Sequence, residues 1–306
     1  MRSGSHDGGV YAVLYALFDA GGELDRGAMR AQTNLCLGMG AAGVVVLGLA
    51  TEVRSLAPTE RRQLVEWTGA DIAGRVPFVV TIFEETPEAQ IAAALHAAGH
   101  GADWLIFQPP GTSDLPLENA FDRVLGQSPL PAAIQNAPGF IGRGLDVDQI
   151  LTLSSRHSGF CRIKQEVSAV ETAELITRLD GALEVYSGRG GIELIDGWKA
   201  GTVGHVPAPE YADRLISIWQ RLEAGDEEGA MRDYERVLPL ATFIVQSIDS
   251  LLVYGKLLFC ARHALPFHLR QPGLKVTRFG LDRLAAHAAN AGIDVDVHRA
   301  VRDGER

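Results

Sequence analysis

Basic charge is scarce in this chain of 306 residues, where 28 Lys and Arg stand against 38 Asp and Glu for a formal net charge of −10. A nucleic-acid footprint needs clustered cations to neutralise phosphates, and no basic run occurs, so nucleic acid is excluded as a partner. Cysteine is scarcer still. Cys36, Cys161 and Cys260 are odd in number, far apart and outside any metal-like pair spacing, which points to reduced thiols and a cytoplasmic location. Long apolar runs are missing as well: the stretch at 41–50 is about half of the roughly 20 residues that span a bilayer, so no membrane partner is expected. Met1-Arg2-Ser3-Gly4-Ser5-His6 leads into structured sequence without the apolar core of a secretory signal. The glycine fingerprint of a dinucleotide fold is absent too. Gly188-Arg189-Gly190-Gly191 comes nearest, but the last glycine of Gly-x-Gly-x-x-Gly would fall on Glu193.

What is present is a folded α/β pattern, with 46% hydrophobic and 22% charged residues. Short apolar, β-branched runs at 10–18, 43–48, 76–83, 104–108, 132–136, 160–166, 183–187 and 202–206 alternate with segments of helical period. Those helical segments are 26–39, 58–72, 87–98, 117–125, 146–154, 168–178, 191–199 and 209–223. Pro58, Pro87 and Pro209 sit where a first-turn proline costs no hydrogen bond, and Gly99, Gly181 and Gly201 follow helix ends. Eight βα units in about 215 residues require parallel pairing through crossovers, which predicts a closed (β/α)8 TIM barrel over 1–224 rather than an open sheet. After Glu223 the alternation stops. Segments 226–244, 247–263 and 278–291 read as helices of a C-terminal helical domain, 225–306, with a frayed tail at 301–306.

Lysine occurs only at 164, 199, 256 and 275. The other three fall on helices or surface-like loops, but Lys164 lies in Phe160-Cys161-Arg162-Ile163-Lys164-Gln165-Glu166, a strand of the barrel wall. Alternation puts Arg162, Lys164 and Glu166 on one face, toward the barrel interior. One account is an internal ion network of these three residues. The other is chemical: desolvation and a nearby cation such as Arg162 favour the neutral amine, a nucleophile that attacks a carbonyl to form a Schiff base.

Further markers surround this lysine. They are Gly48-Leu49-Ala50-Thr51-Glu52 with Leu56 and Glu60-Arg61 after strand two, Pro109-Pro110 after strand four, Asn136-Ala137-Pro138 after strand five, and Ser187-Gly188 after strand seven. In this order and spacing, over about residues 9 to 300, the chain resembles the dihydrodipicolinate synthase and N-acetylneuraminate lyase family of class I Schiff-base lyases. The departures bear on substrate. Family synthases carry Gly-Thr-Thr-Gly-Glu after strand two and a tyrosine where Gln135 stands; they also carry a tyrosine after the paired prolines and an arginine where Phe140 stands. The proton relay of a synthase is therefore missing. The pattern looks closer to the 2-keto-3-deoxy-L-arabonate dehydratases, which resemble this chain at Gln135, at the hydroxyl of Thr51 and in Lys164-Gln165-Glu166.

The resemblance implies a cofactor-free lyase acting on a small 2-oxo acid, with dehydration of a 2-keto-3-deoxy sugar acid as its leading activity. Retro-aldol cleavage to pyruvate and an aldehyde, synthase-like condensation, and a non-catalytic 2-oxo-acid sensor or structural subunit are the alternatives. It also implies a homotetramer. Lys164 is the nucleophile; Glu166 is base or acid, or else neutralises Arg162; Gln135 orients a hydroxyl. Thr51 and the amides of Ala50 and Thr51 are candidates for the carboxylate, although a helix cap also explains Thr51. Ser187, Gly188, Arg189 and Val206 complete the expected substrate site. His96 and His100 have the i, i+4 spacing of a metal pair, but no third ligand is evident and no metal is expected. His205 reads as a structural histidine.

Overall fold

The computed structural model describes residues 8–271 and 273–304; the segment read above for a signal, and the last two residues of the tail, lie outside them. The strands are Gly9–Val13 (β1), Gly43–Val46 (β2), Phe78–Ile82 (β3), Trp104–Phe107 (β4), Ala132–Asn136 (β5), Phe160–Gln165 (β6), Glu184–Ser187 (β7) and Gly204–His205 (β8). They close in sequence order into one all-parallel barrel, with β8 returning to β1. The ladder is shorter than the apolar runs suggested. Leu14 to Phe18 are almost wholly buried, yet beyond the bond from Leu14 N–H to Val45 O and an isolated bridge of Phe18 with Leu24 they lie outside the ladder, so hydrophobicity there signals burial more than strand pairing.

Helices return the chain between strands, among them α1 (Arg26–Gly38), α2 (Pro58–Ile72), α3 (Pro87–Gly99) and α4 (Leu117–Leu125). Two residues read as helical are caps instead. Asp146 and Ser168 accept the backbone N–H of Gln149 and Glu171 and so start α6 (Val147–Arg156) and α7 (Ala169–Leu179). Before α6 lies an unforeseen short helix α5 (Pro138–Ile141), and one turn of 3₁₀ helix, Leu49–Thr51, follows β2. Helix α8 (Leu194–Ala200) begins three residues later than expected, because Gly190 and Gly191 take φ of 61° and 84° to turn the chain at the mouth of the barrel.

Helix α9 (Ala212–Glu223) closes the barrel repeat and α10 (Glu227–Ile244) packs against it. The helix expected at 247–263 is broken into α11 (Ile248–Ser250), a π-helical turn (Leu251–Gly255) and α12 (Lys256–His263). Then come α13 (Arg278–Asn290) and α14 (Val297–Gly304), the latter running through residues expected to be frayed. One continuous apolar core joins the barrel to these helices through Leu240, Phe259 and Leu284. Among the described residues no single helix is long and apolar enough to cross a membrane.

Inside the barrel, Tyr11, Trp104 and Tyr186 pack edge to face or tilted, with centroids 5.6 to 5.7 Å apart. Glycine on β2 makes room: a Cβ on Gly43 would lie 2.2 Å from the Tyr11 ring. Arg162 stacks over Trp104 and its Nε lies 2.9 Å from Glu184 on β7. The expected network of Arg162, Lys164 and Glu166 is thereby divided, because Arg162 finds its carboxylate on the neighbouring strand.

The helical lysine Lys256 is also unlike its sequence reading. It is fully buried, paired with Glu52 and 5.0 Å from the Phe18 ring centroid. This pair ties α12 to the turn after β2, whose backbone is left-handed at both Leu47 and Glu52. Lys256→Ala leaves a buried carboxylate alone and is expected to lower unfolding free energy by roughly 3–5 kcal/mol in denaturant titration.

The buried Glu210 accepts a hydrogen bond from Tyr15 Oη at 2.7 Å. Burial pushes its carboxyl up from 4.5 to about 7, outweighing that hydrogen bond. Between those values the folded state holds a proton that the unfolded state releases, so this contribution is full at low pH and is lost as pH rises through about 7. Relative to Glu210→Gln, the wild-type protein should therefore lose stability from pH 4.5 to 7, at up to about 1.4 kcal/mol per pH unit.

Candidate active site

The strands of the barrel end at one mouth, and the side chains there come from successive βα loops. Lys164 and Glu166, two residues apart on β6 and just beyond it, point the same way. Lys164 Nζ lies 2.9 Å from Glu166 Oε1, with only 7% and 3% of the two side chains exposed. The row continues across the sheet. Gln135 on β5 donates from Nε2 to the same carboxylate oxygen at 2.5 Å, and Gln108, directly after β4, donates from Nε2 to Gln135 Oε1 at 2.8 Å. Gln108 is itself fixed through its carbonyl, which accepts from Gln90 on α3 at 2.9 Å. A carboxylate that accepts from an amine and an amide at one oxygen is held in place with its second oxygen free to act.

Gly188 is the reason the pair can face open space. A Cβ there would sit 2.5 Å from Glu166 Cγ and 2.6 Å from Lys164 Cε. The cavity above, about 500 Å³ of empty space including its opening to solvent, is lined by Lys164, Glu166, Ala50, Gly188, Arg189 and Val206. Six of the nine residues expected at the site thus share its wall, and Gln135 stands directly behind Glu166. Thr51 and Ser187 do not line it. The Thr51 hydroxyl donates to Leu14 O at 2.6 Å and its N–H to Gly48 O at 3.0 Å. The hydroxyl and amide of Thr51, two of the three groups proposed to hold a carboxylate, are therefore committed within the fold, while Ala50 lines the cavity; of the expected charged or polar side chains only Arg189 faces it, held by Glu193. Ser187 contributes its carbonyl to the β8 ladder, accepting from Val206 N–H at 2.8 Å.

Sequence reasoning missed the opposite wall. Leu49 and Phe140 come from the two unforeseen short helices, while Val245, Ser247, Ile248 and Leu251 come from the break after α10. Ser247 was read correctly as a helix start, where its side chain accepts from Ser250 N–H, but not as a residue facing the cavity. Asn136, a marker residue, is structural: its amide bonds Leu145 O and Gln165 and accepts from Leu145 N–H, which pins the loop that carries Phe140. Arg61, another marker, bridges Glu84 and the carbonyls of Val53 and Leu56, fixing the turn after β2. His205 is buried, and desolvation lowers it to about 4, so it is a neutral ring packed on Trp219.

The chain has relatives. The sequence profile of the dihydrodipicolinate synthetase family matches residues 6–289. An L-2-keto-3-deoxyarabonate dehydratase of Azospirillum brasilense is 25% identical over 76% of this chain and 78% of its own length. A 4-hydroxy-tetrahydrodipicolinate synthase of Oceanobacillus iheyensis is 26% identical over 76% and 80%. Among solved structures, the dihydrodipicolinate synthase of Aquifex aeolicus superposes with a TM-score of 0.86 at 18% identity, covering 94% of this chain and 99% of that one, which speaks to the fold.

Gly188→Ala is expected to leave a folded barrel by circular dichroism while displacing Lys164 and Glu166. Loss of at least about 100-fold in turnover, the usual cost of misplacing reacting groups by an ångström, is the result that checks it.

Proposed function

Because the chain belongs to the dihydrodipicolinate synthetase family and is a lyase acting on a small molecule, we propose that Lys164 forms a Schiff base with a 2-oxo acid bearing a hydroxyl at C4, and that the reaction is dehydration. The observation that carries this reading is Glu166 held against Lys164 Nζ. The amine adds to the C2 carbonyl and water leaves, giving an iminium whose positive nitrogen acidifies C3. Glu166 removes a C3 proton, and the electron pair moves into the C2–C3 bond as an enamine. The enamine expels the C4 hydroxyl as Glu166 returns the proton, so one water is eliminated and a C3–C4 double bond forms. Hydrolysis then frees Lys164 and a 3,4-unsaturated 2-oxo acid.

The cavity wall supports a short substrate. Beyond the reacting pair its polar side chains are Arg189 and Ser247, while Leu49, Phe140, Val245, Ile248 and Leu251 are hydrocarbon. Each hydroxyl set against such a wall without a partner costs roughly 1–3 kcal/mol. Arg189 for the carboxylate and Ser247 for one terminal hydroxyl suit a five-carbon 2-keto-3-deoxy sugar acid better than a longer polyol. The similarity to an arabonate-derived dehydratase supports the same class. We also place the protein in the cytoplasm, which its three free thiols support, and as a homo-oligomer, a tetramer by family resemblance. Phe279 and Val170, 74% and 80% exposed, leave apolar side chains for such contacts.

The test is intact-mass analysis after borohydride reduction with pyruvate and, separately, with 2-keto-3-deoxy-L-arabonate. One reduced adduct mapping to Lys164 is expected, absent in Lys164→Ala, with a dehydrated product from the arabonate. Free pyruvate from the arabonate would replace dehydration by retro-aldol cleavage. An adduct at another lysine, or no adduct with either compound, would overturn the assignment of Lys164.

A further inference from the structure

His96 in the last turn of α3 and His100 just past its end stand on the outside of the barrel, and the fold supplies the third ligand that the sequence did not reveal. Glu66, on the neighbouring helix α2, brings a carboxylate to the pair. One donor atom from each of the three residues lies within 4.8 Å of the other two, and His96 Nε2 is 3.5 Å from Glu66 Oε1. The two rings are 4.2 Å apart between centroids. His100 Nδ1 lies 2.8 Å from the carbonyl of His96. A carbonyl only accepts, so Nδ1 carries the hydrogen and the lone pair of the neutral ring is on Nε2, the arrangement by which backbone carbonyls orient metal-bound histidines. His96 Nε2 lies 3.5 Å from both Glu66 Oε1 and Arg62 O, so without metal it carries the hydrogen, and ligation requires the ring's other tautomer, with the ion taking that hydrogen's place between Nε2 and Glu66.

We propose that Glu66, His96 and His100 form a divalent transition-metal site, with zinc as the best-suited ion, that clamps α2 to α3. Two imidazoles and one carboxylate are a zinc donor set, and a tetrahedral ion places its ligands about 3.4 Å apart. The side chains reach that spacing by small rotations, since Glu66 and His100 are exposed and His96 is partly so. The fourth position opens to solvent and takes water. The site is independent of the chemistry at Lys164.

Calorimetric titration of zinc chloride into the full chain at pH 8, against His100→Ala and Glu66→Gln, tests this. One equivalent binding at micromolar concentration is expected, weakened at least about tenfold in His100→Ala and measurably in Glu66→Gln. Zinc should raise the thermal midpoint of the wild-type protein and not that of His100→Ala. The same affinity and stoichiometry in His100→Ala, or no binding up to about 1 mM zinc, would leave only an ordinary surface ion pair between His96 and Glu66 and overturn the site.

Discussion

An amine can be kept inside the mouth of a closed barrel only if something compensates its charge, and here that something is a carboxylate two residues along the same strand. Lys164 and Glu166 are both almost wholly enclosed. Removing either partner would strand the other in a low-dielectric site. The rest of the mouth is arranged around that constraint. Gln108 and Gln135 hold the carboxylate from one side, and a glycine at 188 leaves space above it. Among the described residues lining the cavity, Glu166 is the acid-base group paired with the amine, so the interaction that permits burial is the one that would move a proton.

The helices beyond the barrel repeat extend this arrangement. The break between α10 and α12 lays Val245, Ser247, Ile248 and Leu251 across the mouth, and the buried pair of Lys256 with Glu52 locks the same helical segment to the turn after β2. That turn in turn supplies Leu49 and Ala50. Packing energy in the C-terminal helices is therefore coupled to the shape of the cavity wall, while Lys164 and Gln135 rest on the strands.

Much of this was legible because charge inside a parallel barrel is conspicuous. Lys164 stood out as a cation in a strand with apolar flanks, and strict alternation placed Glu166 beside it. Gln135 was reached through the resemblance, at the position of the synthases' tyrosine, and alternation would have reached Gln108 had the last residue before Pro109-Pro110 been read as facing inward. The losses have separate causes. Thr51 looked like an anion ligand because its motif precedes a helix, but the fold brings its buried hydroxyl against Leu14 O, 37 residues away, which takes its hydrogen bond. Lys256 looked solvated because helical lysines usually are; only tertiary packing shows that Glu52 meets it. Arg162 found Glu184, a residue on the next strand that no pattern within β6 could reveal. The apolar wall was invisible because Leu49 and Phe140 come from short helices with no periodicity to read, while Val245, Ile248 and Leu251, more than 80 positions from Lys164, come from the broken segment after α10.

The claim on which the account rests is that Glu166 moves the C3 proton of a substrate bound to Lys164. Deuterium exchange into the methyl group of pyruvate, followed by proton NMR in D₂O, measures that step without requiring the full substrate. The account predicts exchange with the wild-type protein, none above background with Lys164→Ala, and at least about 100-fold slower exchange with Glu166→Gln. Exchange at the wild-type rate in Glu166→Gln would contradict it, because the carboxylate would then serve only to hold the buried amine in place.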